Sequence, residues 1–161
     1  MIRLMSMSSD RELLRMAIDE ALAGIRSGHG GPFGCVIAKD DRVIDSGHNR
    51  VLIDNDPTAH GEITAIRNAC RTLNTIDLSD CILYTSSEPC PMCKAAICWA
   101  KIGKVVYAAT MKEANDVLGF KDQRMSDAIS RGENLTPSER IDIEGHLEPF
   151  LEYRNMQGKI Y

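Results

Sequence analysis

The sequence predicts an α/β protein, a three-layer α/β/α sandwich around a central mixed five-stranded sheet. Three observations predict it. Apolar residues recur at helical and then strand spacing along the chain, in the order α, β, β, α, β, α, β, α. The middle of that order is strand–helix–strand, which places helices on both faces of a sheet through right-handed crossovers. The length, 161 residues, fits one such domain and leaves little room for a second.

The first helix starts at a Ser-x-x-Glu capping box, Ser9 and Glu12. Leu14, Ile18, Ala21, Leu22 and Ile25 then repeat at helical spacing, and the glycines at 28, 30 and 31 stop it. Residues 33–38 and 42–46 read as a β-hairpin turning at Asp40-Asp41. Residues 49–59 are polar, contain Asp56-Pro57, and read as a loop. A second helix begins near Thr58 or His60, its apolar face formed by Ile63, Ile66, Ala69, Cys70 and Leu73. Residues 81–85 form a short buried strand. A third helix starts at Cys90, with Pro91 in its first turn, where a missing N–H costs nothing. Residues 104–109 form the fourth strand and residues 111–118 a short helix ended by Gly119. Residues 141–143 supply the fifth strand, and Pro149 opens a last helix that fades at Gly158.

Composition excludes several classes. The hydrophobic fraction, 43%, and the charged fraction, 26%, are those of an ordinary globular chain, which argues against disorder. No apolar run reaches the roughly 20 residues of a membrane helix, and the first ten residues do not read as a signal peptide. The net charge of −4 argues against a nucleic-acid partner. Six cysteines without a secretory signal point to a reduced, cytoplasmic protein rather than a disulfide framework.

Two segments carry the chemistry: Pro57-Thr58-Ala59-His60-Gly61-Glu62 and Glu88-Pro89-Cys90-Pro91-Met92-Cys93. Together they offer one imidazole, two thiolates and a carboxylate. Zinc prefers nitrogen and sulfur ligands in tetrahedral geometry, and three protein ligands leave the fourth position open, as in catalytic sites. Taken alone, Cys-x-x-Cys also suits a redox pair or half of a structural zinc site, and a lone His suits a core position. The combination favours catalytic zinc. A closed site needs a fourth ligand, and Cys98 lies too far along the helix, roughly 12 Å at about 1.5 Å per residue. Cys98 reads instead as a packed core thiol. His29 and His146 belong to no pattern and read as surface histidines.

The pairing of His-x-Glu with Pro-Cys-x-x-Cys resembles the signature of the zinc nucleobase deaminases of the cytidine-deaminase superfamily. Within it the chain is similar to the bacterial guanine deaminases. The segments that carry this are Gly30-Gly31-Pro32-Phe33-Gly34, Gly47-His48-Asn49, Asn55 to His60, Ile82 to Ser86, Cys90-Pro91-Met92-Cys93 and Gly119-Phe120. The resemblance implies a cytidine deaminase-like fold and a single deaminase domain over residues 1–161. It also implies a homodimer whose C-terminal tails, residues 146–161, are exchanged between subunits. The implied enzyme is a hydrolase acting on a cyclic amidine C–N bond, converting guanine to xanthine and ammonia. His60, Cys90 and Cys93 would hold Zn2+ and Glu62 would shuttle protons. Asn49 would hydrogen-bond the base, Phe33 line the pocket, Gly61 offer its N–H, Asp122 read an N–H edge and Tyr161 close the lid.

The chain departs from that family in three places. Gly61 stands for the usual Ala, which loosens the helix start, since Gly costs about 0.5–1 kcal/mol in a helix. Ser87 replaces a frequent Cys, and Lys121 precedes Asp122 where an acid is common. The rivals are deamination of guanosine, isocytosine or cytosine, deamination of adenosine in tRNA, and a non-catalytic zinc-stabilised interaction module. The acidic chain disfavours the tRNA substrate. Glu62 disfavours the module, since a structural site has no use for an unligated carboxylate.

Overall fold

The capping box sets the first helix. In the computed structural model, which describes residues 9–119 and 122–161 (Asp122 by its backbone alone), Ser9 Oγ accepts from the Glu12 N–H and Glu12 accepts from the Ser9 N–H at 2.7 Å. The helix α1 then runs Asp10–Arg26. It is followed by β1 (Gly34–Lys39), β2 (Arg42–His48), α2 (Val51–Asp54), α3 (Gly61–Leu73), β3 (Ile82–Ser87), α4 (Pro91–Trp99), β4 (Lys104–Ala109), α5 (Met111–Leu118), α6 (Asp122–Ser130) and α7 (Glu148–Asn155). The hairpin turns at Asp40 and Asp41, both at positive φ, with Lys39 paired to Arg42. That is the two-residue primed turn whose twist suits the flanking strands.

The sheet is mixed, as predicted, with order β2-β1-β3-β4. Strand β1 is antiparallel to β2 and β3, and β3 is parallel to β4. Its side chains alternate between two cores. Val36 and Ala38 pack with Leu13 and Ala17 of α1 and with Tyr84. Cys35, Ile37 and Leu83 pack with Ala65 and Ala69 of α3 and Ile97 of α4. The three layers are therefore α1, the sheet, and α3 with α4. The three-layer sandwich stands, with one correction: the sheet has four strands among the described residues. Residues 141–143 form no strand, and Ile141 and Ile143 are 73% and 61% exposed. Two isoleucines around an aspartate have strand spacing, but three residues cannot hold an extended conformation without a neighbouring ladder.

The buried face of α1 is offset from the expected one. Leu13, Ala17, Ala21 and Gly24 are buried, whereas Leu14, Ile18 and Leu22 flank the contact and Ile25 is exposed. Close backbone approach explains this. A Cβ on Gly34 would lie 2.3 Å from both the Ala17 carbonyl oxygen and the Ala21 nitrogen. Helix and strand touch through small residues, and the larger ones close over the sides. Gly34→Ala is therefore expected to destabilise the protein by about 1–3 kcal/mol or more, because rigid backbone must move. The measurement is the urea midpoint at unchanged slope. A wild-type midpoint would mean that α1 yields freely.

Candidate active site

Strands β2 and β3 both end, and β1 begins, at one edge of the sheet, where Gly34 pairs with His48 and Cys35 with Thr85. Ligand sites in α/β sheets form at the carboxyl ends of strands. Both metal-bearing segments are delivered there, because α3 and α4 start just beyond this end. His60 is the N-cap of α3 and Cys90 the N-cap of α4, with Pro91 in the first turn as expected. Neither side chain caps its own helix. Both turn instead toward each other, and Cys93, one turn into α4, joins them.

The three ligand atoms lie within 4.8 Å of one another. His60 Nδ1 is 3.6 Å from Cys90 Sγ and 3.6 Å from Cys93 Sγ. Two ligands of one tetrahedral zinc, at Zn–N of about 2.0–2.1 Å and Zn–S of about 2.3 Å, stand about 3.6 Å apart. The donor set and its spacing thus fit zinc. The sulfurs are electrostatically distinct. The hydrogen bond that Cys93 donates lowers the Cys90 thiol to about 4, and the same bond, with burial, raises that of Cys93. Cys98 is exposed, contrary to the expected core packing, and it stands clear of the cluster.

Glu62, 5% exposed, lies against this cluster. One carboxylate oxygen lies 3.4 Å from Cys93 Sγ, and the other accepts from Thr85 Oγ1 at 3.3 Å. Burial pushes its carboxyl up from the ordinary value, opposed by its hydrogen bonds. Thr85, fully buried on β3, holds this carboxylate, and sequence reading missed it. Its only signal was strand alternation, which turns Thr85 toward the same face as Leu83 and Cys35. Gly61 is tighter than expected: a Cβ there would lie 3.0 Å from the Phe33 carbonyl oxygen. Glycine lets the start of α3 abut β1 rather than loosening it.

Phe33 and Asn49 stand at the same edge, joined by the Asn49 N–H donating to the Phe33 carbonyl at 2.8 Å. Asn49 is 5% exposed. Its Oδ1 accepts from the Gly31 and Val51 N–H groups at 3.2 and 3.1 Å, which fixes the amide orientation. One predicted residue, Tyr161, is not brought to the cluster of its own chain. Tyr161, 70% exposed, leans on Trp99 with ring centroids 6.5 Å apart. Trp99 ends the nine-residue α4, a length of about 13 Å, so Tyr161 sits at the opposite end of that helix from the metal ligands. The side chain of Asp122, with Phe120 and Lys121, lies outside the described residues. Asp122 itself opens α6.

Comparison with known proteins agrees with this geometry. The cytidine and deoxycytidylate deaminase zinc-binding region matches residues 7–109. The guanine deaminase of Bacillus subtilis is 46% identical over 91% of this chain and 94% of its own length. The X-ray structure of guanine deaminase from Bacillus subtilis superposes with a TM-score of 0.87 at 44% identity, covering 96% of this chain and 99% of the other. The tRNA-specific adenosine deaminase of Aquifex aeolicus is 41% identical, over 65% of this chain and 69% of its own. With the matched region covering the cluster of His60, Cys90 and Cys93 together with Glu62, the chain belongs to the cytidine and deoxycytidylate deaminase zinc-binding family.

Proposed function

We propose that this protein hydrolyses guanine to xanthine and ammonia. The observation that carries the reading is a buried carboxylate, Glu62, set against a cluster of three candidate metal ligands to which it does not itself belong. The degree of likeness favours the free base: guanine deaminase is 46% identical over 91% of the chain, against 36% over 94% for the tRNA-specific adenosine deaminase of Haemophilus influenzae. So does the net charge of −4, which opposes binding of a polyanion. We place the enzyme in the cytoplasm, where thiolate ligands stay reduced.

His60, Cys90 and Cys93 would hold zinc, which when bound supplies a Lewis acid that lowers the pKa of water toward about 7. Glu62 accepts the water proton, since the atom facing the cluster is a carboxylate oxygen. It then passes a proton to the ring nitrogen beside the attacked carbon and to the departing amine. The new C–O bond replaces the C–N bond, and ammonia leaves. Asn49, its oxygen already committed to two backbone N–H groups, can present its amide N–H to an acceptor on the base. Phe33 forms an apolar wall, the Gly61 N–H is a second donor, and Asp122 accepts from an N–H edge. The test is ammonia release from guanine, guanosine, cytosine, isocytosine, adenine, ammeline and tRNA. Guanine should show the highest kcat/KM. A preference for tRNA or a nucleoside would overturn the assignment.

The tail completes the reading. Helix α7 buries none of its residues, and Phe150, Met156 and Ile160 are exposed. Apolar side chains so displayed gain by burial against another surface. We place residues 146–161 on the partner subunit of a homodimer, with Tyr161 closing the partner's site over the planar base. Deleting residues 159–161 should leave zinc content and Tm nearly unchanged and lower guanine turnover tenfold or more, about 1.4 kcal/mol. Full turnover by the truncated enzyme would reduce the tail to a frayed end.

A further inference from the structure

Histidines 29 and 48 are not the isolated surface residues that sequence reading suggests for His29. His29 Nδ1 lies 2.7 Å from His48 Nε2, and His48 Nδ1 lies 2.7 Å from Glu20 Oε1. The ring centroids are 5.0 Å apart. The carboxylate can only accept, so His48 Nδ1 carries a proton and donates it to Glu20, and one further proton lies between the two rings. The space for this is built. Gly24, one turn beyond Glu20 on α1, meets the His48 ring, and a Cβ there would lie 2.7 Å from Cδ2.

This pair of histidines adjoins Asn49. His48 immediately precedes Asn49. His29 sits in the run Gly28-His29-Gly30-Gly31-Pro32, where it is the only polar side chain. A glycine-rich segment loses much conformational freedom on ordering and needs ties from outside itself. Here they are the Gly28 and His29 N–H groups on the Ile25 and Gly24 carbonyls, the His29 ring on His48, the His29 carbonyl accepting from the Leu52 and Ile53 N–H groups, and the Gly31 N–H on Asn49 Oδ1. Gly30 presses on the same oxygen so closely that a Cβ would fall 2.1 Å from it. Whatever holds residues 28–31 therefore also sets the Asn49 amide.

We propose that Glu20, His48 and His29 form a chain of positioning residues that locks the glycine-rich loop onto Asn49 and so aims the Asn49 amide N–H at the substrate base. This rests on the reading of Asn49 as a base contact. A carboxylate and two imidazoles tie α1, the end of β2 and the loop together in a way that apolar fillers of the same volume would not.

The test uses the zinc-loaded enzyme. Glu20→Ala and His29→Ala should each raise KM for guanine about five- to tenfold, the scale of one lost hydrogen bond, with kcat nearly unchanged. Glu20→Gln keeps an acceptor for His48 and should restore the wild-type KM. In an Asn49→Ala background, Glu20→Ala should add nothing, because the two act through one amide. Proton NMR should show a slowly exchanging imidazole N–H in the wild type and Glu20→Gln that is lost in Glu20→Ala, with a shifted Gly31 amide. His29→Ala, outside any helix or strand, serves if Glu20→Ala does not fold. Unchanged KM and an unmoved Gly31 amide in both variants would overturn the proposal, as would equal loss of kcat and zinc. If Asn49→Ala leaves KM unchanged while Glu20→Ala still shifts the Gly31 amide, the base contact fails and the positioning chain stands.

Discussion

Cys90→Ala is expected to reduce zinc from about one per chain to near none, and guanine turnover with it. His60, Cys90 and Cys93 are the one cluster of this kind among the described residues, and Cys98 is exposed outside it. Two remaining ligands cannot reproduce a tetrahedral site that three protein groups define. Bound metal also stabilises the folded state in proportion to its affinity, so the variant should melt at a lower temperature than the holoenzyme and close to the chelator-treated wild type. The control is Cys98→Ser, which should keep its zinc. Metal analysis after gel filtration decides the matter. Full zinc retention by Cys90→Ala, or zinc loss from Cys98→Ser, would overturn the ligand set.

The chemistry of the site was legible because its signal is local. His-x-Glu and Pro-Cys-x-x-Cys are short, and each places its ligand at a helix start marked by its own neighbours, Pro91 above all. The capping box at Ser9 and the Asp40-Asp41 turn were legible for the same reason. What was lost depends on distant partners. The contact face of α1 is set by Gly34 on another element, so the small residues Ala17, Ala21 and Gly24 are buried while hydrophobic spacing points to their larger neighbours. Helix α6 escaped notice because, among its described side chains, it buries only Ser126 and Ala128, too little apolar surface to mark a period. The single turn α2 buries none of its residues, is too short to show a helical period, and is stabilised from outside by the His29 carbonyl.

The same distinction separates the site residues. Thr85 and the Glu20–His48–His29 chain are joined to their partners across 19 to 28 positions of sequence. Nothing in the spacing of a threonine or a histidine announces a partner that far away. Tyr161 is the converse case, a residue named from resemblance that lies against Trp99 of its own chain rather than near its own chain's metal ligands.

Glu62→Gln should separate binding from chemistry. The side chain is buried between Thr85 Oγ1 and Cys93 Sγ. Glutamine has the same shape, and its amide oxygen can still accept from Thr85 while its nitrogen faces the sulfur. The pocket should therefore keep its packing, and zinc should stay, because Glu62 is not one of the three clustered ligands. What disappears is the group that accepts a proton from water and returns it to the base and the amine. A positioned general acid–base contributes about 10²–10⁴-fold, so kcat should fall at least about 100-fold, or about 2.7 kcal/mol in the barrier. The dissociation constant of a non-hydrolysable purine should change little. Loss of zinc from Glu62→Gln would make Glu62 a ligand instead, and near-normal turnover would place the proton on another residue. Glu62→Ala is a poorer probe, since it opens a void beside Thr85 and leaves that hydroxyl with only the Ser87 carbonyl, at 3.0 Å, to receive its hydrogen bond. The isosteric change isolates the proton transfer because everything else around Glu62 keeps its partner.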